Sequence, residues 1–85
     1  MSGDKTALNN LGWCYKNGKG CTQDYAKAIS LFEQSRTAAA FRHLGEIYEL
    51  GLGVTQDKTE ALRYYQVSAE KGNKFARQKV KELSE

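Results

Sequence analysis

The chain repeats one motif at an offset of 33 residues, and this repetition constrains its fold more than any other feature. The first copy runs from Ala7 to Phe32 as A-x-x-x-L-G-x-x-Y-x-x-G-x-G-C-x-x-D-x-x-x-A-x-x-x-F. The second runs from Ala40 to Tyr65 in the same pattern, with valine for the cysteine and tyrosine for the final phenylalanine. Internal repeats of about this length are typical of stacked helical hairpins, which build extended binding surfaces.

Each copy predicts two helices joined by a glycine turn. Apolar residues recur at helical spacing on either side of Gly18 and Gly20, and of Gly51 and Gly53. Glycine readily adopts the left-handed conformation that ends a helix. The residues placed to cap the four helices are Asp4, Asp24, Thr37 and Asp57, and Glu60 is spaced to complete a capping box with Asp57.

Gly12 and Gly45 fall inside predicted helices, where glycine is less stable than alanine by about 1 kcal/mol. We therefore expect a partner helix to approach closely at these points, with Ala28 and Ala61 as the small residues that face the glycines. Residues of the repeated pattern that are expected in the core include Leu11, Leu44 and Tyr48.

A partial third copy follows the second. Gly72 to Ala76 matches Gly3 to Ala7, but Lys81 then replaces the interior glycine, which is typical of a terminal capping helix. The junction at Arg36 is three residues shorter than the next one, which predicts a shortened second helix and a tight turn. The predicted fold is an all-α, α/α helical-repeat solenoid without β-strands, formed by two antiparallel helix hairpins and a C-terminal capping helix. It is one domain over residues 1–85, with repeat one at 4–36, repeat two at 37–72 and the capping helix at 73–84.

Composition excludes several other classes of protein. The net charge of +3 is mild and not clustered, so a nucleic-acid partner is not expected. No apolar run approaches the roughly 20 residues that span a bilayer, so no membrane association is expected either. Met1 to Lys5 is too polar for a signal peptide, which favours a cytoplasmic location. Two cysteines and no proline argue against a disulfide-rich secreted scaffold.

The two copies resemble the Sel-one-like repeat (SLR) family, which is related to the tetratricopeptide repeat. The shared pattern is A-x-x-x-L-G-x-x-Y-x-x-G-x-G-V-x-x-D-x-x-K-A followed by an aromatic residue, and with the partial third copy it covers nearly the whole chain. Departures are Cys21 for the usual valine, Thr59-Glu60 where the first copy has Ala26-Lys27, and the three-residue deletion. The resemblance implies a protein–protein interaction scaffold or adaptor and does not imply a particular partner.

In this family's arrangement the first helix of each hairpin lines a concave face. The resemblance therefore implies a protein- or peptide-binding surface that contains Asn9, Trp13, Lys16, Arg42, Glu46, Glu49, Gln78 and Glu82. Trp13 is the expected anchor, because tryptophan is enriched among residues that dominate binding energy. The alternative is that Trp13 buries itself against Arg42 or Glu46.

A second alternative is that the surface grips a peptide carboxylate through Asn9, Asn10, Lys16 and Arg42. The opposing charges of Glu46 and Glu49 weaken this interpretation. We also expect Ala7 and Leu8 of the N-terminal hairpin to lack a covering helix, which suggests self-association.

The remaining candidate sites have simpler structural interpretations. Cys14 and Cys21 align with Ile47 and Val54, so we expect two small buried hydrophobic residues rather than a disulfide or a metal site. His43 is the only histidine and is expected on a helix surface, where no catalytic triad can be assembled.

Ser68 to Lys71 matches the S-x-x-K motif of penicillin-recognising enzymes, an activity suggested for some relatives, but the companion motifs are absent. Lys74, Arg77 and Lys81 share one face of the last helix, which indicates a solvated face or contact with an acidic partner. No catalytic residue, metal or cofactor is therefore expected, and a penicillin-binding or hydrolase-like activity is the alternative function.

Overall fold

A computed structural model of the chain describes residues 4–84, and this part forms five α-helices without a β-strand. In chain order they are α1 (Lys5–Asn17), α2 (Tyr25–Ser35), α3 (Ala38–Leu50), α4 (Lys58–Glu70) and α5 (Lys74–Ser84). The α1 helix packs on α2, and α3 packs on α4, so each repeat is an antiparallel hairpin. The α5 helix packs on α4. The predicted all-α helical-repeat architecture is confirmed.

Polar side chains begin the helices at the predicted positions. The N-cap side chains that accept a backbone hydrogen bond are Asp4, Asp24, Thr37 and Asp57, joined by Asn73 before α5. The expected capping box is only half formed. The Asp57 N–H donates to the Tyr48 carbonyl at 2.9 Å, so it is not free to bind the Glu60 carboxylate, which accepts from Arg63 instead.

The short junction between the hairpins has the predicted form. The α2 helix has 11 residues and α4 has 13. Arg36 ends α2 in the left-handed region with φ 56°, and its N–H donates to the Phe32 carbonyl at 3.1 Å. The α1 and α3 helices end at Gly18 and Gly51, also in the left-handed region, where a side chain would be strained.

The close approach at the interior glycines involves aromatic rings, and the expectation of facing alanines was wrong. A Cβ atom built on Gly12 would lie 2.8 Å from the Phe32 ring, and one on Gly45 would lie 2.8 Å from the Tyr65 ring. The rings of the second helix therefore lie directly over the backbone of the first. Ala28 and Ala61 are fully buried, but they are not the nearest neighbours of the glycines.

Two further pairs of repeated side chains tie each hairpin together. Ser35 Oγ donates to the Lys5 carbonyl at 2.7 Å, and Ser68 Oγ makes the matching bond to Ala38 at 2.6 Å. Gln23 and Gln56, from the repeated Thr-Gln-Asp stretch, each donate at 2.8 Å to a carbonyl in the last turn of the preceding helix. These bonds explain why polar residues repeat at positions that face the backbone.

The core lies between α2 and α3 and between α4 and α5. Leu44 is 0% exposed, whereas Leu11 at the matching position is 42% exposed, so the prediction that Leu11 is a core residue was wrong. The α2 helix covers Leu44, and no helix within residues 4–84 covers Leu11 in the same way. Tyr48 is only partly buried, and its ring stacks on Tyr64.

His43 is buried rather than on a helix surface, which corrects the prediction for this residue. Its ring stacks on Phe32 with centroids 4.8 Å apart, because the same side of α3 that buries Leu44 also carries His43.

Candidate protein-binding surface

The surface formed by α1, α3 and α5 is here called the first-helix face. All eight residues of the predicted binding surface lie on these three helices. Two ion pairs link the helices. Lys16 on α1 pairs with Glu46 on α3, and Lys79 Nζ on α5 lies 3.0 Å from Glu49 on α3. In each pair the partner lies 30 residues further along the chain. The structure thus brings Lys16 and Glu46 together and gives Glu49 a cationic partner.

Lys16 occupies a confined polar cluster. It is only 8% exposed, and its Nζ atom lies 3.3 Å from Nδ1 of His43 as well as bonding to Glu46. Burial first, and then the positive charges of Lys16 and Arg42, lower the pKa of His43 to about 4. Burial by itself would raise the pKa of Glu46, but the hydrogen bond and charge of Lys16 lower it below its usual range. The histidine is therefore neutral at pH 7 and the carboxylate is charged.

Glu49 is held from two sides. It accepts from the Tyr65 hydroxyl at 2.8 Å and from Lys79 at 3.0 Å, which connects α4 and α5 to α3. Burial, followed by the hydrogen bond to Glu49 and its negative charge, raises the pKa of Tyr65 well above its usual range. Lys79 was not among the predicted surface residues. Lys79 lies 30 residues after Glu49, as Glu46 does after Lys16, but this regularity is informative only once the Lys16–Glu46 pair is known from the structure.

The other predicted residues are less constrained. Trp13 is 42% exposed on α1. The Arg42 guanidinium lies 5.0 Å from the centre of the Phe75 ring, and within residues 4–84 it has no carboxylate partner. In the same range Asn9 Oδ1 is buried without a hydrogen bond. Gln78 donates to Glu82 at 3.3 Å, and both residues are exposed. The groups that remain available on the first-helix face are therefore Trp13, Arg42 and the exposed residues Gln78 and Glu82, whereas the Oδ1 atom of Asn9 is buried.

The remaining candidate residues are not among the eight of the predicted binding surface. The Ser68 hydroxyl is 0% exposed and is used in the bond to Ala38, so it is not presented to solvent as a nucleophile. Cys14 and Cys21 are free thiols, and both are only partly buried, so the prediction of two buried residues was wrong. Ile47, which aligns with Cys14, is fully buried, whereas Val54, which aligns with Cys21, is partly buried as well. The three basic residues of α5, Lys74, Arg77 and Lys81, are exposed.

An open pocket of about 260 Å³ lies elsewhere, between Phe41 and α4. None of the eight predicted residues lines it; its walls include Tyr64, Val67, Glu60 and Arg63. Across the described part of the chain, no group of three or more His, Cys, Asp or Glu side chains is arranged to hold a metal ion. None of the helices within residues 4–84 has the length and apolar character needed to cross a membrane.

Two solved structures resemble this fold closely. The crystal structure of a Sel1 repeat protein from Oxalobacter formigenes superposes with a TM-score of 0.88 and 31% identity, over 92% of this chain. The structure of c5321, described as a protective antigen present in uropathogenic Escherichia coli strains and displaying an SLR fold, gives a TM-score of 0.88 and 36% identity over 96% of this chain. The chain spans only 33% and 18% of the length of these two proteins.

A comparison with curated protein sequences gives no match. The family model of the Sel1 repeat matches residues 5–39 and again residues 38–73, which is most of the chain. The two matched ranges contain the two hairpins, and they agree with the structural neighbours. The chain belongs to the Sel1 repeat family.

Proposed function

We propose that this chain is an interaction module that binds a protein or peptide on the first-helix face, with Trp13 as the main apolar contact. Sel1 repeats are generally protein–protein interaction modules and typically non-enzymatic scaffolds. The observation that carries the proposal is the 42% exposure of Trp13 on α1, the helix that the Lys16–Glu46 ion pair links to α3. An exposed tryptophan on a rigid surface offers a large apolar area with little loss of conformational entropy on binding.

The internal ion pairs define the chemistry of the partner. Lys16, Glu46 and Glu49 already have partners within the chain, so they position the helices and contribute little free charge. Arg42 has no carboxylate partner within residues 4–84. The partner should therefore present an apolar side chain to Trp13 and a carboxylate or carbonyl oxygen to Arg42. Gln78 and Glu82, which are exposed, would extend the contact through hydrogen bonds.

Affinity capture from native lysate tests this proposal. The wild-type chain is compared with Trp13→Ala, with Arg42→Ala, and with Arg63→Ala as the matched control, because Arg63 lies on α4, outside this face, and its side chain is 73% exposed. We expect Trp13→Ala to reduce the recovery of a specific partner by about tenfold or more, as loss of a central aromatic contact does. Arg42→Ala should reduce the recovery less, and Arg63→Ala should leave it unchanged. Thermal unfolding of each variant shows whether the fold is intact.

Equal recovery with Trp13→Ala and the wild type would remove Trp13 from the binding surface. Light scattering over a range of concentrations addresses the competing arrangement, in which a second copy of the chain is the partner through the N-terminal hairpin. Concentration-dependent dimers that Trp13→Ala does not affect would favour that arrangement over the proposed one.

A further inference from the structure

The two repeats surround one matched tyrosine with opposite charges. In repeat one, Lys27 Nζ lies 5.4 Å from the centre of the Tyr15 ring, so the chain covers this ring with its own cation. The matching residues of repeat two are Glu60 and Tyr48, each 33 residues further along the chain. Within residues 4–84 no lysine or arginine lies over the Tyr48 ring. Repeat two thus has a carboxylate where repeat one has the covering cation.

The uncovered Tyr48 belongs to a row of three stacked rings beside the open pocket of α4. Tyr48 stacks on Tyr64 with ring centroids 5.5 Å apart, and Tyr64 stacks on Phe41 with centroids 6.2 Å apart. Repeat one has Leu8 and Leu31 at the positions of Phe41 and Tyr64, so the row of rings is specific to repeat two. The pocket of about 260 Å³, here called the ring pocket, has a lining that includes Phe41, Glu60, Arg63, Tyr64, Val67 and Glu70.

Negative charge prevails around the Tyr48 end of this row. Burial, and then the negative charges of Glu33 and Glu60, raise the pKa of Tyr48. Within residues 4–84 neither Glu33 nor Glu70 forms an ion pair. Glu60 pairs with Arg63 at 3.1 Å, but the Arg63 side chain is 73% exposed, and exposed pairs of this kind contribute little stability. A cation that enters the ring pocket therefore meets carboxylates that are free or only weakly paired.

The chain's own cations occupy the opposite end of the row. The Arg36 guanidinium lies 5.5 Å from the centre of the Phe41 ring, and Lys71 Nζ lies 5.8 Å from it. Neither residue lines the ring pocket. Aromatic faces attract cations, and Phe41 already has two, whereas the tyrosine end of the row has none within residues 4–84.

The stacking of one repeat on the next leaves the ring pocket open. The α5 helix packs against Ala61 and Tyr65 of α4. By helical spacing, Glu60, Arg63 and Val67 lie on a different side of α4. The helices α2 to α5 all lie within the described residues, so the opening of the pocket does not come from either end of the chain.

We propose that the ring pocket binds a lysine or arginine side chain of a partner protein, which takes the place of the cation that repeat one supplies from within the chain. The aliphatic part of this side chain packs on Tyr64 and Val67. Its charged group lies over the ring face and reaches Glu60 or Glu70. The proposal does not depend on the proposed function, because none of the eight residues predicted for the first-helix face lines the ring pocket.

N-acetyl-arginine methylamide and its lysine analogue are the probes for this site, and N-acetyl-citrulline methylamide is the matched control. Citrulline has nearly the size and shape of arginine but carries no charge. Binding to the full chain, with ¹³C-labelled tyrosine, is followed by NMR titration of the Tyr48 and Tyr64 ring signals. We expect millimolar dissociation constants for the two cationic probes, because one side chain makes few contacts. The citrulline probe should bind at least about fivefold more weakly, since it loses both the ring and the carboxylate attraction.

Two substitutions give the ring pocket the residues of repeat one. Glu60→Lys supplies the residue found at Lys27, and Tyr64→Leu supplies the one found at Leu31. Each should weaken binding of the arginine probe by roughly tenfold, because the first adds a competing cation and the second removes the ring. Glu82→Gln is the control for the loss of one negative charge and should not change binding. Circular dichroism verifies that the variants fold.

Trp13→Ala separates this proposal from the proposed function. It should leave probe binding unchanged, even where it abolishes capture of a partner on the first-helix face. Loss of probe binding in Trp13→Ala would place the cation on that face instead and overturn the inference. The same holds if neither cationic probe shifts the ring signals at tens of millimolar, if citrulline binds as well as arginine, or if Glu60→Lys binds the arginine probe as well as the wild type.

Discussion

Leu11 and Leu44 occupy the same position of the repeat, and we expect their replacement by alanine to have very different effects on stability. Leu44 is 0% exposed and belongs to the core between α2 and α3. Removing a fully buried leucine side chain also leaves a cavity, so Leu44→Ala should lower the free energy of unfolding by about 2–5 kcal/mol. Leu11 is 42% exposed. Little more than half of its surface is removed from water, and solvent fills the vacated space, so Leu11→Ala should lower it by roughly 1 kcal/mol.

Urea denaturation followed by far-ultraviolet circular dichroism measures both values, and equal slopes of the two transitions show that the same surface unfolds. A small domain has little stability to lose, so Leu44→Ala could be unfolded in water. Leu44→Val, which removes one methylene group and should lower the free energy of unfolding by about 1 kcal/mol, keeps the comparison measurable. Leu11→Val is its matched control. If the free energy of unfolding falls by the same amount at Leu11 and Leu44 within error, then covering by α2 does not decide how much this leucine contributes to stability.

Gly45→Ala should destabilise the chain by roughly 1–3 kcal/mol, because the new Cβ would lie 2.8 Å from the buried Tyr65 ring. A urea midpoint equal to or above that of the wild type would contradict the close approach of this ring to the α3 backbone. The free energy of unfolding should fall as the pH is lowered from 6.5 towards 4. In this range His43 takes up a proton in the unfolded chain but not in the folded chain, where its pKa is about 4. Urea midpoints measured across this range should vary less in His43→Gln. A fluorescent penicillin should leave the chain unlabelled, since the Ser68 hydroxyl is buried and bonded to Ala38; stoichiometric labelling that Ser68→Ala removes would reverse this expectation.

Local features of the sequence were sufficient to predict the helices and their ends. Caps such as Asp24 and Thr37 act within three residues of their own position, and Gly18 and Gly51 adopt the left-handed conformation that their residue type favours. The short junction at Arg36 was also predictable, because the distance between the two copies of the motif is visible in the sequence. The eight residues of the candidate surface were assigned from the family resemblance together with helical spacing, and their role in binding stays a prediction.

What surrounds each side chain was decided only by the tertiary structure. The repeat treats Leu11 and Leu44 as equivalent, and it aligns His43 with the exposed Asn10, yet packing by α2 buries only the residues on α3. The sequence likewise did not reveal that Lys16 and Glu49 are paired within the chain, since their partners lie 30 residues away on a neighbouring helix. Burial and ion pairing depend on which helices become neighbours in space, whereas caps and turns depend on residues that are already neighbours along the chain.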